Sequence, residues 1–403
     1  MPTHETSHAP SHTSRCAAAI PLNPLRALFP LVARDGMLSF ANGHPSPDAC
    51  DHVGLAHAVD CAKDDEMSWR YGPSIGDPDL RPQLAMLSDV EPDAIVVTSG
   101  SQQGIDIAVR SALNPDDCVA IPSACYPAVL SVLAANGQRP IAIAEDEHGV
   151  LPEALHDTIS SSAVRALYLT PTFGNPTGRV MPRARRIALL EICAQHDVLV
   201  IEDDPYCDLW FETPPHDTFV ALARVVNRNA DVIALRSASK SVAPGLRVGW
   251  MVVPDRLRGA VAAIKQASDL QTSGLAQRTV FHYLSSGQFD AWLPQVRALY
   301  QERQTVMIDG LHSAGFAPTP VDGGMFSWVK LPSGVNPETL FSNAVKQNVL
   351  FAPGISFASD PTNQSLRHHI RLCFAAQGCA KIKQGCKRLG QALAESSEAQ
   401  NHD

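Results

Sequence analysis

Lys240 lies in the run ALRSASKSVAPGLRVGW (residues 234–250), which also carries the hydroxyls of Ser237 and Ser239 and the guanidinium of Arg247. Hydroxyls and a guanidinium are natural ligands for a phosphate. A neighbouring cation and a buried setting both favour the neutral form of a lysine amine, the form that attacks a carbonyl to make an imine. A single lysine is ordinarily a solvated surface residue, so the weight of this reading rests on the company Lys240 keeps.

Three other strings supply that company. VVTSGSQQG (96–104) places Ser101 and Gln102 between an apolar run and a helix start, where free N–H groups and the helix dipole favour an anion. Taken alone the signal is weak, since Gly and Ser at a strand-to-helix turn are more often plain turn chemistry. LTPTFGNPTG (169–178) offers the amide of Asn175 in a Pro- and Gly-rich turn, as a ligand donor or as a turn former. VLVIEDDPY (198–206) puts Asp203 and Tyr206 just past an apolar run, where a carboxylate removed from water needs a cationic partner. A protonated pyridine nitrogen is one such partner; a helix cap or a Mg²⁺ site are the alternatives.

These strings need elements to hold them. From about residue 93, short β-branched or apolar runs (AIVVTS, CVAIPS, ALYLTP, VLVIED, VIALRS, VGWMVV) alternate with helical stretches such as GIDIAVRSAL, PAVLSVLAAN and ARRIALLEICAQH. That alternation predicts an α/β fold: six strands joined by crossovers into a doubly wound, mostly parallel sheet. Ligands bind such sheets beyond the carboxyl ends of the strands, where all four strings fall. After about residue 255 a long helical stretch and three strand-like pieces, FSWVKL, NVLFAP and HIRLCFA, predict a smaller C-terminal α/β domain. The expected division is a flexible tail (1–20), an arm and substrate loop (21–50), a large domain (51–283) and a small domain (284–395).

At 403 residues, 45% hydrophobic and 18% charged, the chain has an ordinary globular composition and room for a large core. Its net charge of −9 offers no general attraction to nucleic acid or anionic membranes. Ten cysteines at irregular spacing, with no CxxC pair, argue against a disulfide or metal framework and for a reducing, cytoplasmic setting. No run of about 18 apolar residues is present, and the first 20 residues lack the apolar stretch of a secretory signal. His4, His8 and His12 recur every four residues, but Pro10 disfavours the helix on which they would share a metal, so none is expected.

The order and spacing of SGSQQG, Tyr126, GNPTG, EDDPY, SxSK, GLRVG, PGISF and IRLCF resemble the fold-type I, class I/II pyridoxal phosphate aminotransferases. Within that family the likeness is strongest to the 2-aminoadipate and kynurenine branch, and it extends over roughly residues 22–385. The resemblance implies that Lys240 forms a Schiff base with pyridoxal 5'-phosphate and then carries the proton between the substrate Cα and the cofactor. It implies that Asp203 pairs with the pyridinium nitrogen, that Asn175 and Tyr206 bond the phenolic oxygen, and that Tyr126 stacks on the ring. Ser101, Gln102, Ser237, Ser239 and Arg247 would hold the phosphate, and Tyr71 would reach the phosphate of a neighbouring subunit, implying a homodimer with shared sites. Arg371 would grip the substrate α-carboxylate with Gly43 lying against the substrate, and Arg26 would meet its distal end. Two departures stand out. The stretch from Leu80 to Ile95 is shorter than in relatives, and ANGH (41–44) replaces a glycine-rich string, with His44 where relatives often carry an apolar residue.

The reaction expected from the resemblance is transamination between an amino acid and a 2-oxo acid by a ping-pong cycle. Lyases, decarboxylating synthases and oxygen-using oxidases or hydroxylases share the same cofactor residues and form the alternative. A regulatory module fused to a winged helix-turn-helix is disfavoured because only about 20 residues precede the arm. A dehydrogenase is disfavoured because no GxGxxG follows the first strand.

Overall fold

Runs of Val, Ile, Leu and Ala build the central sheet of the computed structural model, which describes residues 12–226, 229–360 and 362–400. Its strands are β1 (Ile95–Thr98), β2 (Cys118–Pro122), β3 (Arg139–Ile143), β4 (Val164–Leu169), β5 (Leu199–Asp203), β6 (Val232–Ser237) and β7 (Gly249–Val252). They lie in the order β1-β7-β6-β5-β4-β2-β3. Every pairing from β6 to β3 is parallel, whereas β7 runs antiparallel to both β1 and β6.

Six of these strands coincide with the six apolar runs. The seventh, β3, escapes sequence reading because it is a sheet edge: Arg139 and Pro140 are exposed and only Ile143 is buried. Proline is tolerated there because an edge strand leaves part of its backbone unpaired. The expectation of crossovers throughout also needs correction, since β6 and β7 are joined by residues 238–248 alone.

Helices α1 (Ser101–Ala112) and α2 (Pro127–Asn136) cover one face of the sheet, and α3 (Arg183–Gln195) covers the other. The period-two alternation of a strand divides β4 between these layers: Ala166 and Tyr168 face one, Leu167 and Leu169 the other. Local signals set the helix ends. Gly100 precedes α1 at φ +85°, Pro127 opens α2, and Gly137 closes α2 in the left-handed region.

The short helix α4 (Ala238–Ser241) follows β6, and α5 (Arg258–Asp269), α6 (Gly274–Ser285) and the long α7 (Gln288–Ser313) follow β7. Beyond them, β8 (Phe326–Lys330), β9 (Ala352–Pro353) and β10 (His369–Cys373) form an antiparallel sheet in the order β8-β10-β9. The last helix, α8 (Cys379–Gln400), packs Ile382, Cys386 and Leu389 into the same core as Met307 and Leu311 of α7. That core also contains Ile95 and Val97 of the large sheet and Phe326 and Ile370 of the small one, so a single apolar cluster joins both.

The arm packs on the small sheet. Leu28 is buried with Ala41, Leu350, Ala352 and Phe357. Leu38–Ser39 pairs in parallel with Val349–Leu350, so the NVLFAP run is divided between two sheets. Ahead of the arm, Arg15–Ala19 forms a short helix capped by Ser14, whose Oγ accepts from Ala17 N–H at 3.1 Å. His4 and His8 lie outside the described residues. Among the described residues, no cluster of His, Cys, Asp and Glu could hold a metal ion, and no helix is long and apolar enough to cross a membrane.

Candidate active site

The carboxyl ends of β4, β5 and β6 and the N-terminus of α1 open into one cleft of about 770 Å³. Lys240, Asp203, Tyr206, Asn175, Tyr126, Ser101, Gln102, Ser237, Ser239, Arg247, Arg371, Gly43 and Arg26 all line it. Of the residues expected from the sequence, Tyr71 alone is not brought in: its side chain is 88% exposed.

Lys240 sits in the single turn of α4 with its amine donating to Gly43 O at 3.0 Å and 5.9 Å from the centre of the Tyr206 ring. Burial lowers its pKa to about 8, and the nearby Arg371 and Arg247 push in the same direction. The amine is therefore far closer to its neutral form than a surface lysine at neutral pH.

Asp203 ends β5 at 4% exposure. Burial pushes its pKa up to about 6, opposed by a hydrogen bond that Tyr168 Oη donates to Oδ2 at 2.6 Å. Its Oδ1 is buried and has no hydrogen-bond partner among the described residues. Because strand side chains alternate, Glu202 turns to the opposite side of β5, where it accepts from Phe219 N–H at 3.0 Å and lies 3.6 Å from Arg186.

Arg371, on β10, is 1% exposed. It donates to Asn175 Oδ1 at 2.9 Å and to Ala41 O, and its guanidinium lies 4.6 Å and 4.8 Å from the ring centres of Phe326 and Phe357. Its Nε has no hydrogen-bond partner among the described residues. Gly43 is held against this group: an added Cβ would lie 3.3 Å from the Phe326 ring and 3.5 Å from Arg371 Nη1.

A cup of donors closes the far end. Ser237 caps α4, accepting from Ser239 N–H at 3.2 Å, and Arg247 donates to Ser239 Oγ at 3.1 Å and to Ser99 O at 3.3 Å. Gly100 lies under Arg247 so closely that a Cβ would fall 2.4 Å from its Nη2, which together with φ +85° requires glycine. Burial raises the pKa of Tyr206 and of Tyr126, keeping both phenols protonated donors.

The sequence matches the family described as aminotransferase class I and II over residues 35–389. The chain belongs to that family. Among curated relatives, a 2-aminoadipate transaminase of Thermus thermophilus is 33% identical over 94% of this chain and 95% of its own length. An aromatic-amino-acid aminotransferase of Thermococcus litoralis is 29% identical over 95% and 94%. Among solved structures, an α-aminoadipate aminotransferase of Thermus thermophilus complexed with N-(5'-phosphopyridoxyl)-L-leucine superimposes with a TM-score of 0.87 at 31% identity, covering 96% of this chain and 98% of that one. These aminotransferases share the fold-type I architecture described above.

Sequence reading of this family member missed Tyr168. It stands inside the run ALYLTP and reads as one more buried aromatic; only its place two residues before Thr170, which lines the cleft, hints at a role beside Asp203.

Proposed function

We propose that the chain is a pyridoxal phosphate-dependent aminotransferase that moves an amino group between an amino acid and a 2-oxo acid. The observation that carries this reading is the pairing, in one cleft, of a buried amine of lowered pKa with a buried carboxylate oxygen that has no protein partner. The cleft fits the cofactor chemically. The orphaned Asp203 Oδ1 is an acceptor for a ring N–H⁺, the cup of Ser101, Gln102, Ser237, Ser239 and Arg247 suits a phosphate, and Asn175 and Tyr206 suit the ring oxygen.

Bound there, pyridoxal 5'-phosphate supplies an aldehyde that condenses with amines and a ring that takes up the electron pair left when the Cα–H bond breaks. The protein's part is positional and acid–base. Lys240, its pKa lowered by burial, would in its neutral form carry the proton between the substrate Cα and the cofactor carbon. Asp203 would hold the proton on the ring nitrogen, and the Tyr168 hydrogen bond favours its ionised form. Arg371 grips the substrate α-carboxylate with two donors, a contact that serves amino acid and 2-oxo acid alike. Tyr126 would cover a ring face, Gly43 would lie against the substrate, and Arg26 would meet the substrate's distal end, all three lining the same cleft.

A homodimer, in which Tyr71 would reach a second copy's phosphate cup, accords with the exposed aromatic rings of Trp69 and Tyr71. A division at residues 51–283 and 284–395 and a cytoplasmic setting belong to the same reading.

An absorbance titration tests it. Purified protein carrying the cofactor should lose its visible imine band when an amino acid is added and regain it with a 2-oxo acid. Oxygen uptake or ammonia release in place of that reversal would assign the protein to another reaction of the cofactor.

A further inference from the structure

Helix α5 buries one side chain of an unexpected kind: Lys265 is 0% exposed. Its ammonium donates to the two oxygens of Asp269 at 2.6 and 2.8 Å, to Thr272 Oγ1 at 3.1 Å and to Gln103 Oε1 at 3.2 Å. An ammonium has three N–H groups, so all its donors are engaged. Such a buried group is costly when a partner is missing, which makes its arrangement specific.

The network ends on the phosphate cup. Gln103 Oε1 also accepts from Ser99 N–H at 2.7 Å, while the Gln103 amide donates to Asp269 Oδ2 at 2.7 Å. Ser99 Oγ lies 3.3 Å from the same Asp269 oxygen. Ser99 opens the turn that presents Ser101 and Gln102 to the cleft, and its carbonyl is held from the other side by Arg247. The backbone of Ser99 is thus fixed on both sides, its N–H through Gln103 and its C=O by a guanidinium that also serves the cup.

We propose that Lys265 is a positioning residue for the cofactor phosphate: through Gln103 and Ser99 it sets the aim of the Ser101–Gln102 turn without touching the ligand. This rests on the cofactor reading given above. The Asp269 carboxylate pairs with the Lys265 charge, so the action is geometric: donors that bind a phosphate lose strength when displaced by a fraction of an ångström.

The test uses the full chain, stripped of cofactor, as wild type, Lys265→Met and Gln103→Leu. Pyridoxal 5'-phosphate affinity is measured by fluorescence titration, amide hydrogen exchange over residues 99–104 by mass spectrometry, and melting by circular dichroism. Both variants should bind the cofactor about tenfold more weakly, exchange faster over 99–104, and, once saturated with cofactor, keep the wild-type KM for substrates held by Arg371. If Lys265→Met does not fold, Lys265→Arg decides: it keeps a charge for Asp269 but not the single-point contact with Gln103 Oε1, and it should show the same loss of cofactor affinity and faster exchange over 99–104. Lower melting with unchanged cofactor affinity and unchanged exchange over 99–104 overturns the inference and leaves a purely structural lysine. Wild-type protein that takes up no cofactor overturns the functional reading as well, a result distinct from wild-type uptake matched by both variants.

Discussion

Tyr168 and Asp203 are joined by a buried hydrogen bond of 2.6 Å that engages one carboxylate oxygen and leaves the other, also buried, without a partner among the described residues. The phenol stabilises the ionised form against the effect of burial. In Tyr168→Phe the Asp203 pKa should rise further. At neutral pH, stability should fall by about 1–3 kcal/mol, as expected for a buried acceptor losing its donor. Urea unfolding, together with an activity profile whose acidic limb moves to higher pH, checks this.

Asp203→Asn should have opposite effects on folding and on turnover. The folded pKa, about 6, lies above the ordinary aspartate value of 3.8, so in cofactor-free protein the folded state binds more protons across that window and stability declines as pH rises through it. The asparagine variant should lose this slope and be the more stable apoprotein at pH 7–8. Turnover should drop by about 10²–10³-fold with the loss of a buried charge pair. Melting curves at pH 5 and pH 8 and single-turnover rates measure the two effects.

The Lys240 amine, with a pKa of about 8, reacts only when neutral. Covalent uptake of cofactor by apoprotein should therefore accelerate about tenfold per pH unit below 8 and level off above it. A rate that is flat between pH 6.5 and 8.5 would falsify the assignment. Lys240→Ala should show no covalent band and no turnover.

Arg371→Lys replaces a fork of donors with a point charge. KM for amino acid and 2-oxo acid should rise together by about 10- to 100-fold, while cofactor affinity stays at the wild-type value. A change confined to one of the two substrates would place the carboxylate contact elsewhere.

Gly100→Ala combines a left-handed φ with a collision at Arg247 Nη2. The expected result is about 1 kcal/mol of lost stability and weaker cofactor binding, read by thermal melting with and without the cofactor.

The residues at the ends of β4, β5 and β6 were legible because each follows an apolar run directly and brings polar chemistry into a loop where turn formation alone does not explain it. Tyr168 was not, because its partner lies 35 positions away and inward-facing tyrosines in strands are common. Lys265 gave no signal either, since a lysine in AAIKQASD reads as the wet face of an amphipathic helix. The reversal of β7 was invisible for a related reason: a strand buried on both faces has the same apolar composition whichever way it runs.

That reversal has a bearing on assembly. A parallel neighbour of β6 would require a crossover of a dozen or more residues, usually carried on a helix across one face. With β7 antiparallel, the hydroxyls of Ser237 and Ser239, the amine of Lys240 and the guanidinium of Arg247 are held in one short connection at the sheet's rim. Closing so short a loop carries a small entropy cost and takes tens of nanoseconds. Asp203, Asn175 and Arg371 arrive only with long-range pairing. The order of assembly this favours is the connection from Ser237 to Arg247 first, with Asp203, Asn175 and Arg371 gathering around it afterwards.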